Sequence, residues 1–211
     1  MRKEDKYMKK SRIYIICGLL LVSVVVQGVY AGDENDPEIE DPEDDVLLFG
    51  HMPAPFINRF VNHIDISSGW FFENSDDPDT LYITLKVTGY KPCKLLVVYG
   101  VFWNYNGSSY AAFTMIARGE DYLVGIQIDE INFIEVADMY SVNSANNTIT
   151  FAVPKDLIGD PMPGDQLENP FGIAAIRFVS DELANLMTRF VMSNILVADL
   201  TFNGLDYTIQ Y

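Results

Sequence analysis

The sequence predicts an all-β fold: an antiparallel β-sandwich of the jelly-roll or immunoglobulin-like kind. One short helix near the C-terminus and an apolar leader helix at the N-terminus complete it. Three observations predict this. Short stretches alternate apolar and polar side chains, as in Leu81, Ile83, Leu85 and Val87. Turn clusters such as Asn74–Asp79, Asn106-Gly107 and Gly119–Asp121 separate these stretches at intervals of about ten residues. No βα alternation, glycine-rich phosphate loop or internal repeat interrupts the pattern.

Residues 1–31 carry six basic side chains before an apolar run from Ile13 to Val29, and Val29-Tyr30-Ala31 closes it with small residues. That is the order of a secretory signal cleaved after Ala31. The run is also long enough for a signal anchor, and both readings stay open. Either way the basic end stays inside and the body is extracytoplasmic, with contact to membrane only through an uncleaved leader. Residues 32–45 read as an acidic, disordered linker with nine carboxylates between Asp33 and Asp45. The β-sandwich domain is then 46–211.

Six of the 14 basic and two of the 30 acidic residues lie in positions 1–31, so residues 32–211 carry 8 basic against 28 acidic groups. Nucleic acid is excluded as a partner, because its binding needs clustered Lys and Arg. Cys17 falls in the leader and leaves Cys93 alone, so no disulfide closes within the body.

Within the body, Val46–Phe49 reads as an edge strand and residues 63–73 as the first main strand. Lys94–Tyr105 is a nearly unbroken apolar run, as in a central strand buried on both faces. Asn106-Gly107 turns the chain into Ser109–Ala117; Tyr122–Ile128 and Phe133–Met139 continue the meander. In Asn147–Leu167 the apolar residues Ile149, Phe151 and Val153 alternate along a strand. Pro154 then starts a helical turn that ends at Gly159 and leads through a Pro/Gly loop toward another strand. Ser180–Met192 predicts the helix, with Ser180 as N-cap and an apolar stripe of Leu183, Leu186, Met187, Phe190 and Val191. Ala198–Gln210 is the closing strand.

Four segments together, Ile64–Trp70, Leu81–Val87, Val101–Gly107 and Ile149–Leu167, resemble a secreted archaeal and bacterial β-sandwich group. It is the DOMON-like and family 9 carbohydrate-binding-module-like group, related in fold to glucodextranase accessory domains. The most specific part is Val153, Pro154, Lys155, Ile158, Gly159, Pro161, Pro163, Gly164 and Asp165. The resemblance covers about residues 60–208 and implies an extracellular module without a catalytic role for these motif residues. Some members of the group bind sugars between aromatic side chains, and some bind calcium or haem.

Trp103, Tyr99 and Tyr105 share one strand parity, and with Tyr110 and Trp70 they are the candidates for stacking on a sugar. Against that stands the reading that they fill the core. Calcium is the candidate metal. Asp76, Asp77 and Asp79 sit in one turn and Asp160 and Asp165 bracket the proline loop, although Asx residues in turns ordinarily cap backbone groups. Asn106 and Asn146 head glycosylation sequons in predicted turns. With His51 and His63 the only histidines, no triad or zinc motif emerges, and no enzyme is expected. Two functions stay open. One is a binding module for a cell-surface glycan or surface protein. The other is a structural cell-surface or filament subunit, a homo-oligomer joined by strand addition at open sheet edges or through helix 180–192.

Overall fold

Alternating residues dominate the result: the chain forms antiparallel strands in two sheets, with a shared apolar core between them. The computed structural model describes residues 32–42, 45–48, 52–53, 61–92, 95–117, 120–129, 132–177, 195–201 and 204–211. They belong to the compact unit Ala31–Tyr211. The leader, His51, Cys93 and the predicted helix 180–192 lie outside the described residues. Among the described residues, no helix is long and apolar enough to cross a membrane.

The strands are β1 (Ile39–Glu40), β2 (Leu47–Leu48), β3 (Met52–Pro53), β4 (Ile66–Asn74), β5 (Asp77–Val87), β6 (Leu96–Tyr105) and β7 (Ser108–Ala117). After them come β8 (Glu120–Ile128), β9 (Asn132–Glu135), β10 (Tyr140–Asn143), β11 (Thr148–Pro154), β12 (Gln166–Arg177), β13 (Ile195–Leu200) and β14 (Tyr207–Thr208). The five-stranded sheet runs β1-β4-β5-β11-β10. The nine-stranded sheet runs β3-β2-β13-β12-β6-β7-β8-β9, with β14 also pairing with β12.

Ile149, Phe151 and Val153 of β11 and Leu81, Ile83, Leu85 and Val87 of β5 are wholly buried, as their alternation predicts. They meet Val97, Tyr99, Val101 and Trp103 of β6 across the sandwich. Phe71 binds the layers together, edge-on to Trp103 at 6.1 Å and stacked on Tyr207 at 5.5 Å. The sheets approach closely at Gly172 of β12, where a Cβ would lie 3.0 Å from Leu85 Cδ1 of the other sheet. The apolar run of β6 is buried on both sides, because Leu96 and Val98 form a second cluster with Phe113 and Met115 of β7.

Several expected boundaries shift. The segment read as a free acidic linker is ordered from Gly32 to Pro42. Its one isoleucine, Ile39, enters the core, and β1 pairs Ile39 with Gly69. The Phe71 N–H donates to Glu38 Oε2 at 2.9 Å, tying the same segment to β4. The Asn74–Asp79 turn tightens to Ser75-Asp76, and Asp77, Pro78 and Asp79 join β5. Phe133–Met139 is not one strand: β9 ends at Glu135, and the chain changes sheets to start β10 at Tyr140. The closing strand likewise divides into β13 and β14. Leu47 and Leu48, in the stretch read as an edge strand, pair with Ala198 and Val197 of β13 on one side and with Pro53 and Met52 of β3 on the other.

Lys155–Ile158 is a 3-10 turn that ends at Gly159 in the left-handed region, φ 89°. Lys155 is buried, and its ammonium donates to Glu73 Oε1 of β4 and to the Tyr211 carbonyl. Glu73 Oε2 accepts from the Tyr207 hydroxyl at 3.1 Å and the Gln210 N–H at 2.6 Å. Burial, and then the Glu73 carboxylate, push the Tyr207 phenol well above its ordinary range. Removing one partner of such a buried pair costs about 3–5 kcal/mol, because it strands the other charge. Lys155→Ala is therefore expected to lower the melting temperature by roughly 6–20 °C. Combining Lys155→Met with Glu73→Gln should recover part of that loss, as read by differential scanning calorimetry.

Candidate functional site

The register of the five-stranded sheet sets its outer surface. Phe71, Glu73, Ile83, Leu85, Ile149 and Phe151 face inward, so their neighbours in sequence lie on the outer side, where Thr84 is itself covered and only 3% exposed. Across the strands Trp70 stands beside Thr84, Thr84 beside Thr150, and Thr150 beside Ser141. The next row along the strands holds Phe72, Tyr82 and Ala152, and the row on the other side Ser68, Lys86, Thr148 and Asn143.

Phe72 and Tyr82 stack at 4.9 Å with 14° between their planes. The Tyr82 hydroxyl donates to Asp77 Oδ2 at 2.7 Å, and the Thr84 and Thr150 hydroxyls bond at 2.9 Å. The Asp77 bond holds the Tyr82 phenol above its ordinary range. The result is a half-buried aromatic corner, Trp70, Phe72 and Tyr82, running into a row of hydroxyls. At the Lys86 end the surface opens into a polar cleft of about 900 Å³, lined among others by Glu34, Glu40, Ser68, Lys86 and Asn147. The Lys86 ammonium is paired with Glu34 there.

The aromatic candidates from the sequence separate. Trp103 and Tyr99 are each 1% exposed and fill the core between the sheets, so neither offers a ring face to a ligand. Tyr110 packs on Trp103 at 6.0 Å and is also in the core. Tyr105 is half-buried against the same core, and its hydroxyl donates to Asp165 Oδ2 at 2.7 Å. That bond, with burial, pushes the Tyr105 phenol up to about 12. Trp70 alone of the five lies on the outer surface, and it stands with Phe72 and Tyr82, which were not singled out. Their signal was available: Trp70 and Phe72 alternate with the inward Gly69, Phe71 and Glu73.

The carboxylates assigned to calcium are not gathered. Asp76 and Asp79 are exposed and Asp77 serves Tyr82. Asp160 is exposed at φ 51°, and its N–H donates to the Lys155 carbonyl at 2.9 Å. Asp165 Oδ2 accepts the Met162 N–H at 2.8 Å as well as the Tyr105 hydroxyl, which holds its carboxyl below the usual range. Both aspartates thus shape the proline loop. Asn106 and Asn146 are exposed in turns; Asn106 and Gly107, at φ 50° and 81°, form the left-handed pair of a tight hairpin.

The carboxylates that do converge come from elsewhere. One oxygen each from Asp41, Asp45 and Asp199 lies within 4.8 Å of the others, in the segment between β1 and β2 and on β13. Such a spread is about that of oxygens around a hard cation, which bind at roughly 2.3–2.6 Å. Asp199 Oδ2 accepts the Ile66 N–H at 2.6 Å, joining β13 to the head of β4, and the wholly buried Asp65 lies close by. Asp41 Oδ2 is shielded from solvent without a hydrogen-bond partner. Burial first, then mutual repulsion, raises the Asp41 carboxyl well above the usual range. Burial likewise raises Asp199, against the pull of the Ile66 N–H.

His63 is 3% exposed, with both ring nitrogens shielded and without a hydrogen-bond partner. Burial, and then the Lys91 charge, lower its pKa to about 4. Comparison with protein families, curated proteins and solved structures finds no match to this chain.

Because the Asp41 and Asp199 carboxyls are raised, the folded state holds protons that the unfolded chain has released. The stability they allow is complete below the unfolded value near pH 4 and falls as pH rises through the raised folded values. In chelator-treated buffer the melting temperature should therefore fall between pH 5 and pH 9. Asp41→Asn should flatten that slope, with each kcal/mol recovered worth about 2–4 °C.

Proposed function

We propose that this chain is an extracytoplasmic, non-enzymatic binding module that takes carbohydrate on the outer face of its five-stranded sheet. The observation that carries this reading is the set Trp70, Thr150 and Ser141 in one cross-strand row over the covered Thr84, with the Phe72–Tyr82 stack in the adjoining row. A pyranose has an apolar face of C–H groups and a rim of hydroxyls. An aromatic ring set beside fixed hydroxyls matches both parts. The rows repeat about every 7 Å along the strands, the spacing of alternate residues, so more than one sugar unit finds a contact.

Rigid pairing favours this surface further. Strand register places Trp70, and hydrogen bonds fix the Tyr82 and Thr150 hydroxyls, so little side-chain freedom is lost on binding. The polar cleft beyond Lys86 extends the surface for an elongated ligand. The basic-then-apolar leader supports export, and the resemblance of Ile64–Trp70 and Val153–Asp165 to secreted sandwich modules supports the class. The shielded position of His63 supports a non-catalytic reading, since a general base must reach its substrate.

A glycan array followed by isothermal titration calorimetry tests the proposal. The wild-type chain is expected to bind an oligosaccharide. Trp70→Ala and Tyr82→Ala should each weaken binding by roughly 30-fold, the effect of a 2 kcal/mol hot spot. Trp103→Phe, a change inside the core, should leave the affinity within about threefold. A wild-type chain that binds no glycan, or a Trp70→Ala chain that binds as well as wild type, ends this reading.

A further inference from the structure

A second opening lies at the hairpin end of the nine-stranded sheet. Phe102, Ser109, Tyr110, Ala111, Gln127 and Asp129 line a hollow of about 390 Å³. Phe102 is held flat by Phe171, whose ring stacks on it at 4.6 Å with 4° between planes. The polar groups are fixed as firmly. The Ser109 N–H donates to Asp129 Oδ1 at 3.0 Å, and the Asp129 N–H returns to the Ser109 carbonyl at 2.7 Å. The same bonds hold Asp129 in the left-handed region at φ 52°, where a non-glycine residue needs such support.

Several donors of the rim are already used. The Ser109 hydroxyl bonds to Asn104 Oδ1 at 2.8 Å, and Gln127 Nε2 donates to the Asp129 carbonyl at 2.9 Å. Left over are chiefly acceptors: the second carboxylate oxygen of Asp129, the amide oxygen of Gln127 and the Ser109 hydroxyl oxygen. Among the described residues, no Lys or Arg lines the hollow. An aromatic floor beside a carboxylate and neutral acceptors is the chemistry that holds an ammonium group. The Phe102 ring attracts the cation, Asp129 supplies the countercharge, and the acceptors take its N–H bonds. The surplus of acidic over basic groups in residues 32–211 draws cations toward the surface from further away.

We propose that this hollow binds a small organic cation through its ammonium group, with Asp129 as the charge partner and Phe102 as the aromatic floor. It is separate from the surface assigned to carbohydrate and does not depend on that assignment. Its volume suits a short amine rather than a folded partner.

Chemical-shift titration of the ¹⁵N-labelled chain with n-butylammonium chloride, and with n-butanol as neutral match, tests this. Butylammonium is expected to move the amides of Ser109, Gln127 and Asp129 saturably, with butanol at least tenfold weaker. Asp129→Asn, which the left-handed backbone tolerates, should weaken butylammonium at least tenfold. Phe102→Leu, which keeps an apolar floor, should weaken it about threefold or more. Trp70→Ala should leave it unchanged, so failure here and failure of the carbohydrate proposal are told apart. Three results overturn the proposal. One is equal binding of n-butanol or of D-glucose in the hollow. Another is wild-type affinity in Asp129→Asn. The third is a non-saturating response shared with the exposed carboxylates Asp76 and Asp79.

Discussion

The buried ion pair between Lys155 and Glu73 is the constraint on which the closed end of this sandwich depends. Glu73 sits on the inward side of β4, where an unpaired carboxylate would be strongly disfavoured. The ammonium from the 3-10 turn after β11, the Tyr207 hydroxyl and the Gln210 N–H satisfy it. One carboxylate thereby fixes three separate pieces of chain. The C-terminal segment continues the pattern, since the Gly164 N–H donates to the Ile209 carbonyl and the Ile209 N–H to the Asp165 carbonyl, each at 2.9 Å. The Pro/Gly loop that the sequence marks out is therefore a seat for β14, and Asp165 holds the loop in shape.

Where burial is one-sided, the strands were legible in the sequence. In β11 and in Leu81–Val87 of β5 every second residue is apolar and wholly buried, so alternation gave both the strand and its inner face. In β6 the same logic stops short. Tyr99, Trp103 and Tyr105 do share a parity, but β6 is apolar on both sides, and period-two reasoning cannot tell which side is the core. The three rings point between the sheets, and the expected sugar platform moves to Trp70, Phe72 and Tyr82. There the inward set is Gly69, Phe71 and Glu73, and the buried glutamate hides the alternation until its lysine partner is known.

Other departures have equally local causes. The long strand β12 carries Asn169-Pro170 inside it, a pair that signals a turn. The strand absorbs it as an irregularity between Glu168 and Phe171, with Asn169 at φ 51°. The acidic stretch before β2 has the composition of a free tether, yet Ile39 alone gives it a hold on the core, and Glu38 adds a bond to the Phe71 N–H. Composition averages over a segment, whereas docking needs one residue in the right register. The convergence of Asp41, Asp45 and Asp199 was illegible for a related reason. Asp199 is separated from Asp41 and Asp45 by most of the domain, and they meet because β2, just after Asp45, pairs with β13.

The two proposed binding surfaces follow from that same two-sheet plan. Each is the outer side of a different sheet, and the core lies between them. Trp70 stands on β4 of the five-stranded sheet and Phe102 on β6 of the nine-stranded one, so a ligand on either surface makes no contact with the other. Sites so separated, with no shared side chain, combine additively in free energy. What couples them is only the stiffness of the intervening core, where Phe71, Trp103 and Tyr207 pack in fixed contact. The sandwich thus holds two rigid and independent faces, and the acidic charge common to both favours a cationic ligand where a carboxylate lies beside an aromatic ring. On the carbohydrate face Asp77 is occupied by Tyr82 and Glu34 by Lys86. In the hollow, Asp129 stands beside the Phe102 ring, and that pairing of a carboxylate with an aromatic floor is what separates a site for an amine from a surface for neutral sugars.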